Sequence, residues 1–197
     1  MSNTWPVILT HGDVTLRPIR LSDGRQWQKL RDRNMQWLRE WDATSPLPRL
    51  DPPPTFRQNT RDMLREARLG QKLPFIVEFQ GVMCGQLTVS NITAGAHRGA
   101  NFGYWIAEEY SGRGIMTTAG ALVTDYLLGP MKLHRVEIAV RPENVPSNRL
   151  AQRLGFEFEG VRKKFLHINN AWRDHNVYVM YSEIYSDSLL NRLKKNM

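Results

Sequence analysis

The sequence is nearly free of cysteine, because Cys84 is the single cysteine among 197 residues. One cysteine cannot form an internal disulfide, and this usage is typical of proteins from reducing compartments. Cys84 lies in the strand-like segment VMCGQLTV, which favours a small buried side chain over a nucleophile. We therefore expect a cytoplasmic protein whose thiol is structural.

Long apolar runs are also missing from the sequence. None approaches the roughly 20 residues that a membrane-spanning helix needs, so no transmembrane segment is predicted. The first residues, MSNTWPVILTHGD, lack the basic and long apolar regions of a secretory signal peptide. The five histidines have no HExxH or comparable spacing, so no metal site is predicted. The length fits one domain over residues 1–197.

Acidic residues are outnumbered by basic ones, which leaves a formal net charge of +8. This excess of positive charge favours an acidic ligand or partner, such as nucleic acid, a ribosome or a phosphorylated cofactor. A surface whose charges serve only solubility would give the same net charge. The densest basic runs are RKK at 162–164 and RLKK at 192–195. They lack a known RNA-binding signature, and no direct DNA binding is expected.

Helical and strand-like patterns alternate along the chain. VTLRPIRL predicts a strand, and helices are predicted over about 22–41 and 55–69, separated by a loop at 44–56 with five prolines. A later helix follows NFGYWI and ends at Gly129-Pro130, and a short one covers 147–154. The remaining strand patterns are PFIVEF, VMCGQLTVSNI, NFGYWI, RVEIAV, FEFEGV and a hairpin around Asn169-Asn170, before a possible C-terminal helix. This order predicts an α/β or α+β domain with a mixed sheet.

The stretch YSGRGIMTTAGALVTDYLLG places Gly112 and Gly114 around Arg113 at the start of an amphipathic helix. A turn there leaves backbone N–H groups free at the positive end of the helix dipole, where phosphate binds. A P-loop is excluded because no Lys-Ser/Thr pair follows Gly114. The dinucleotide fingerprint is excluded because Thr117 stands where its third glycine belongs. A pyrophosphate turn for coenzyme A and a plain helix-start turn both remain open.

Three segments in sequence order resemble the GNAT acetyltransferases, and within them the RimJ/RimL branch, whose members acetylate protein N-termini. Ser111–Met116 is similar to motif A, Gln/Arg-x-x-Gly-x-Gly/Ala, with Ser111 and Met116 departing from it. The other two segments are LRPIR and RPENVPSNRLAQRLGFEFEG. The resemblance spans about 14–181. It implies a mostly antiparallel sheet of about seven strands with helices on both faces, and acetyl transfer from acetyl-CoA to a primary amine.

The resemblance also implies roles for particular residues. The turn from Gly112 to Thr117 anchors the pyrophosphate, and N–H groups around Trp105 and Ile106 stabilise the developing oxyanion. Asn144 and Ser147 match the branch's Asn-x-x-Ser and are the catalytic candidates near the sulfur, although both residue types are also ordinary helix caps. The implied cofactor-binding residues are therefore Trp105, Ile106, Gly112, Arg113, Gly114, Ile115, Met116, Thr117, Asn144 and Ser147.

The acceptor side is predicted to include Trp37, Trp41, Trp172 and Asp174, with the proline-rich loop. Asp174 is placed to hold a cationic amine, but an aspartate at a hairpin tip is also a common turn residue. Candidates for the general base are Glu108 and Glu109, which also suit a helix entrance, and His167, which also suits a structural role. The base is left open.

The leading prediction is an enzyme that acetylates a protein N-terminus, with a ribosomal protein as acceptor. Small amines, namely a polyamine, an amino acid or an antibiotic, are alternative acceptors. The rival class is a non-catalytic module associated with the ribosome or RNA. The enzyme is favoured because three motifs recur in the family's order.

Overall fold

The computed structural model describes residues 5–47, 53–185 and 187–195. Its strands are β1 (Leu9–His11), β2 (Val14–Pro18), β3 (Leu73–Phe79), β4 (Val82–Ser90), β5 (Gly99–Ile106), β6 (Arg135–Val140), β7 (Glu157–Ile168) and β8 (Ala171–Tyr181). Its α-helices are α1 (Gly24–Arg33), α2 (Met35–Arg39), α3 (Phe56–Arg68), α4 (Ile115–Leu128), α5 (Val145–Arg153) and α6 (Leu189–Lys195). Single 3₁₀ turns lie at Leu21–Asp23 and Glu108–Tyr110.

The strands form one sheet in the order β1-β2-β3-β4-β5-β6-β8-β7. Every neighbouring pair is antiparallel except β5 and β6, which are parallel. The predicted fold class is therefore confirmed. The described residues contain eight strands rather than about seven, and β1 was not predicted because three residues are too short to show an alternating pattern.

Helices pack on both faces of this sheet. On one face α4 buries the side chains predicted from its spacing, namely Ala119, Leu122, Val123, Tyr126 and Leu127. On the other face α1 and α3 meet through Trp27 and Phe56, whose ring centroids are 5.2 Å apart. Cys84 is buried in the core, as predicted, and this burial raises the pKa of the thiol to about 12. Within the described ranges no helix is long and apolar enough to cross a membrane.

The prediction of one continuous helix over 22–41 is wrong, because the helix breaks at Asn34. The Asn34 side chain is buried, and its Nδ2 donates to the Leu30 carbonyl at 3.0 Å. Its Oδ1 accepts a 2.7 Å hydrogen bond from the Glu108 N–H. These bonds stabilise a non-helical backbone at Asn34, where α1 ends and α2 begins. The second predicted helix is confirmed by α3, whereas residues 48–52 of the proline-rich loop lie outside the described residues.

A buried ionic cluster joins β2, β3 and the turn before α1. The Arg17 guanidinium donates to both oxygens of Asp23, at 2.8 and 3.0 Å, and to Glu78 at 2.7 Å. Asp23 is 7 % exposed and also accepts from the Arg20 N–H at 2.7 Å. The cluster fixes the start of α1 against the sheet.

Replacing Asp23 with asparagine should therefore lower the free energy of unfolding by about 2 kcal/mol, since the Arg17 charge loses a buried partner. Urea denaturation measures the change. Asp62→Asn is the matched control, because Asp62 pairs with Arg65 on the surface and is 55 % exposed; its effect should stay below about 0.5 kcal/mol. Equal effects of the two substitutions would contradict the proposed contribution of the cluster.

Candidate active site

The parallel strands β5 and β6 diverge after a short paired section. Their pairing covers only Gly99–Asn101 against Arg135–Glu137, at the beginning of each strand. Beyond that point the two strands separate and leave a wedge-shaped gap in the middle of the sheet. A cavity of about 570 Å³ occupies this gap and continues to the start of α4.

All ten residues implied as cofactor-binding line this one cavity, although they come from three separate parts of the chain. They are Trp105, Ile106, Gly112, Arg113, Gly114, Ile115, Met116, Thr117, Asn144 and Ser147. Sequence reasoning missed several others that line it, among them Tyr104, Glu40, Arg149 and Arg153. The topology therefore brings strand, glycine turn and α5 together at the carboxyl end of the diverging strands.

The glycine turn has the backbone that phosphate binding requires. Gly112 and Gly114 have φ angles of +74° and +75°, and a Cβ added to either would meet no atom within 4 Å. The first helical hydrogen bond of α4 runs from the Thr118 N–H to the Gly114 carbonyl at 3.0 Å. The N–H groups at 115–117 consequently have no helical carbonyl to bond, and the positive end of the helix dipole faces the cavity.

Three arginines add positive charge to the cavity. The Arg113 guanidinium lies 5.8 Å from the ring centroids of both Phe79 and Tyr110. Arg149 and Arg153 lie one helical turn apart on α5 and share a face. Their spacing of four residues in NRLAQRLG is the signal that could have identified them in the sequence. Together these side chains suit a ligand with several phosphates.

Arg153→Gln should therefore raise the Kd for acetyl-CoA about fivefold at low salt, with a smaller effect at high salt, because exposed charge pairs are screened. Equilibrium titration at two ionic strengths checks both parts. Arg61→Gln removes an exposed arginine of α3 outside the described lining and should leave the Kd unchanged. Equal losses in the two variants would show a nonspecific charge effect.

Strand register shows which backbone N–H groups face the gap. The Ala107 N–H donates to the Cys84 carbonyl at 2.9 Å, which makes these two a hydrogen-bonded pair. Ile106 then forms a non-hydrogen-bonded pair with Gly85, so its N–H and carbonyl point away from β4, into the gap. By the same alternation the Trp105 N–H points toward β4. Of the two N–H groups predicted to stabilise the oxyanion, only the N–H of Ile106 therefore faces the gap.

Ser147 and Tyr104 form a hydrogen-bonded pair within the cavity lining. The Tyr104 hydroxyl donates to Ser147 Oγ at 2.9 Å, and burial raises the pKa of Tyr104 to about 12. Tyr104 therefore stays protonated at neutral pH. Asn144 caps α5, because its Oδ1 accepts from the Ser147 N–H at 3.2 Å. Asn144 is thus a helix cap, and a catalytic role for it stays a prediction, whereas the hydroxyl of Ser147 remains available to a ligand.

The short helix α2 crosses the wedge from one diverging strand to the other. Trp37 Nε1 donates to the Ile106 carbonyl at the end of β5, at 3.1 Å. Arg141, directly after β6, donates from Nη1 to the Glu40 carbonyl at 2.8 Å. Trp37 and Trp41, both predicted on the acceptor side, line the cavity, as does Glu40. α2 therefore forms one wall of the site.

The other two residues predicted for the acceptor lie on β8, outside the described lining of the cavity. Trp172 is 54 % exposed, and its ring packs against His167 with centroids 5.5 Å apart. Asp174 does not lie at the hairpin tip, which is Asn169-Asn170 as predicted. Its Oδ1 accepts a 2.8 Å hydrogen bond from the Lys164 N–H. An acceptor role for Trp172 and Asp174 stays a prediction.

None of the three candidates for the general base belongs to the described cavity lining. Glu108 lies on the 3₁₀ turn and bonds Asn34 through its N–H, and the carboxylate of Glu109 is 3.9 Å from Arg33. His167 Nδ1 is 2.7 Å from the hydroxyl of Thr44.

Across the described part of the chain, no three His, Cys, Asp or Glu side chains are grouped to hold a metal ion.

A family model described as an acetyltransferase (GNAT) domain matches residues 13–157. The chain belongs to the GNAT acetyltransferases. It is similar to Mycobacterium smegmatis RimJ, solved in complex with CoA-disulfide, with a TM-score of 0.89 and 33 % identity over 98 % of this chain and 95 % of that one.

Two curated relatives match over shorter lengths. The probable N-acetyltransferase YjcK of Bacillus subtilis is 40 % identical over 95 residues, 48 % of this chain and 52 % of YjcK. The [ribosomal protein uS5]-alanine N-acetyltransferase of Escherichia coli is 35 % identical over 91 residues, 46 % of this chain and 47 % of that enzyme. The chain thus matches about half the length of each of these two relatives.

Membership of the GNAT family confirms the predicted acyltransferase and its donor, acetyl-CoA. The cavity fits this donor by its own features: an open glycine turn with free N–H groups, three arginines, and a strand with an inward N–H. The departing residue Met116 is buried in the core, so its side chain does not obstruct the turn backbone. Ser111, the other departing residue, lies in the described lining of the cavity.

Proposed function

We propose that this GNAT protein transfers an acetyl group from acetyl-CoA to the N-terminal α-amino group of a protein, with a ribosomal protein as acceptor. The observation that carries the proposal is the single cavity that joins the glycine turn, the inward N–H of Ile106 and the Ser147–Tyr104 pair. The choice of acceptor is supported by the similarity to RimJ and to the uS5-alanine enzyme.

The proposed chemistry assigns a task to each part of the cavity. The free N–H groups at 115–117 and the arginines bind the pyrophosphate and orient the donor. The Ile106 N–H donates to the thioester oxygen as negative charge develops on it, the role of an oxyanion hole. A site of this kind lowers the barrier because its donors are already aligned before reaction.

Ser147 is proposed to protonate the departing sulfur. Because its Oγ already accepts from Tyr104, the serine's own proton is directed elsewhere, toward the cavity. The amine attacks as the neutral species, the C–N bond forms while the C–S bond breaks, the excess proton on nitrogen passes to solvent, and solvent returns a proton to the oxygen of Ser147. An α-amino group titrates near 7.7–8.0, so a strong base is not required for a neutral fraction to exist at pH 7.

The surface charge supports ribosome association as part of the same proposal, in the cytoplasm. Arg25 and Lys29 of α1 and Arg57 and Arg61 of α3 are exposed on helices that pack together on one face of the sheet. Such a face attracts a polyanion at long range. A non-catalytic binding module would account for this basic face. It would not account for an open cavity that contains the Ser147–Tyr104 pair.

The test is a thiol-release assay with acetyl-CoA and three acceptors. These are a peptide that begins with alanine, the same peptide with a blocked N-terminus, and spermidine. The proposal expects turnover with the free peptide, at a kcat/KM at least tenfold above that for spermidine, and none with the blocked peptide. Faster turnover of spermidine identifies a small-amine acetyltransferase, and no turnover of any amine favours the binding module.

A further inference from the structure

Charged side chains are unevenly distributed around the cavity. Its described lining contains three arginines, Arg113, Arg149 and Arg153, and a single acidic residue, Glu40. The arginines suit the phosphates of the donor but repel a protonated amine. Among the described lining residues, Glu40 alone carries the charge that attracts an ammonium group.

Glu40 lies on the side of the wedge opposite the end of β5. The chain leaves β5 at Ile106 and passes through the 3₁₀ turn to the phosphate-binding start of α4. Glu40, at the C-terminal end of α2, is instead bonded through its carbonyl to Arg141, which follows β6. The glycine turn is thus connected to β5, whereas Glu40 is bonded to the residue that follows β6, and Arg149 and Arg153 of α5 also follow β6 along the chain.

The backbone of Glu40 is held by groups that are themselves fixed. Arg141 is buried, and its guanidinium lies 5.1 Å from the ring centroid of Trp41 and 3.2 Å from the Glu143 carboxylate. Its carbonyl accepts a 2.9 Å hydrogen bond from Asn148 Nδ2. Glu40 itself is exposed. The carboxylate is therefore carried on a rigid support while it remains accessible to a ligand, as a recognition group requires.

We propose that the Glu40 carboxylate binds the ammonium group of the acceptor and thereby selects unblocked primary amines. This inference rests on the proposed acetyl transfer to an amine. An α-amino group with a pKa of 7.7–8.0 is mostly protonated at pH 7, so the acceptor arrives as a cation. Glu40 holds it at the acceptor end, and its proton leaves to solvent before the C–N bond forms. Asp174, the amine-binding residue expected from the sequence, lies outside the described lining.

The test measures binding without turnover. Protein saturated with CoA is titrated by calorimetry with a peptide that begins with alanine, and separately with its N-acetylated form. Wild type should bind the free peptide about tenfold more tightly than the acetylated one, because a charge-assisted hydrogen bond to an exposed carboxylate is lost on acetylation. In Glu40→Gln this preference should disappear while the acetylated peptide binds as before.

Two controls make the result specific. Glu157→Gln removes an exposed carboxylate outside the described lining and should keep the tenfold preference. Spermidine is titrated in parallel, so that the two proposals can fail separately. If wild type binds spermidine and not the peptide, the proposal of N-terminal acetylation is wrong. In that case, weaker binding of spermidine by Glu40→Gln than by wild type still supports the ammonium site at Glu40. Equal affinities of wild type and Glu40→Gln for both amines, with unchanged CoA affinity, would overturn the inference.

Discussion

Gly114→Glu should raise the Kd for acetyl-CoA on the order of 1000-fold. The glutamate places a carboxylate where the pyrophosphate is bound by the N–H groups at 115–117, and the loss of about two charge-assisted hydrogen bonds, each about 2 kcal/mol, accounts for this factor. The variant should still fold, since a Cβ at Gly114 meets no neighbouring atom. Tryptophan fluorescence is a suitable readout, because Trp37, Trp41 and Trp105 line the cavity.

Gly81→Glu is the matched control for this substitution. Gly81 is exposed, has a φ of +77° and has open space around its Cβ position, but it lies in the turn between β3 and β4, outside the described lining. Both variants carry the same backbone strain of about 1–2 kcal/mol and the same added charge. Only Gly114→Glu should lose the ligand. Normal acetyl-CoA affinity in a folded Gly114→Glu protein would refute the position assigned to the donor.

Ser147→Ala should lower kcat about 100-fold while the Kd for acetyl-CoA changes less than twofold. A positioned general acid contributes about 10²–10⁴ in rate, and Ser147 is proposed to act on the sulfur only as it leaves. Tyr104→Phe should lower kcat by about tenfold, because Ser147 loses the donor that orients its hydroxyl. The double variant should be no slower than Ser147→Ala alone, since the two residues act as one unit.

Tyr178→Phe separates this effect from the general cost of a buried tyrosine. Tyr178 is buried and donates to Asn148 Oδ1 at 2.9 Å, but it does not belong to the described lining. Its kcat should stay within twofold of wild type in steady-state assays of thiol release. A kcat for Ser147→Ala equal to that of wild type would remove Ser147 from the chemistry and leave it as a residue of α5.

The features that the sequence predicts well are those decided by neighbouring residues. The turn Gly112–Gly114, the buried face of α4 and the tip at Asn169-Asn170 each depend on local backbone preference or periodicity. The part of the predicted donor site from Trp105 to Thr117 is local in the same way, because one motif includes both the end of β5 and the start of α4. Asn144 and Ser147 join the same cavity only through the pairing of the sheet, which the motif does not encode.

Long-range hydrogen bonds decide the features that were missed. Asn34 interrupts the predicted helix because its side chain bonds Glu108, 74 residues later. Glu40 reaches the cavity because Arg141, 101 residues away, binds its carbonyl. The partnership of Tyr104 and Ser147 spans 43 residues. No local pattern encodes such pairs, and the acceptor side is therefore less predictable than the donor side.

Calorimetric titration of the wild-type protein with acetyl-CoA, at moderate salt to suppress nonspecific charge binding, tests the central claim most directly. Saturable binding of one acetyl-CoA per chain, lost in Gly114→Glu and retained in Gly81→Glu, is the result expected if the glycine turn holds the donor. A folded wild-type protein that binds no acetyl-CoA would contradict the account, because every assigned step depends on a donor held in the wedge between β5 and β6.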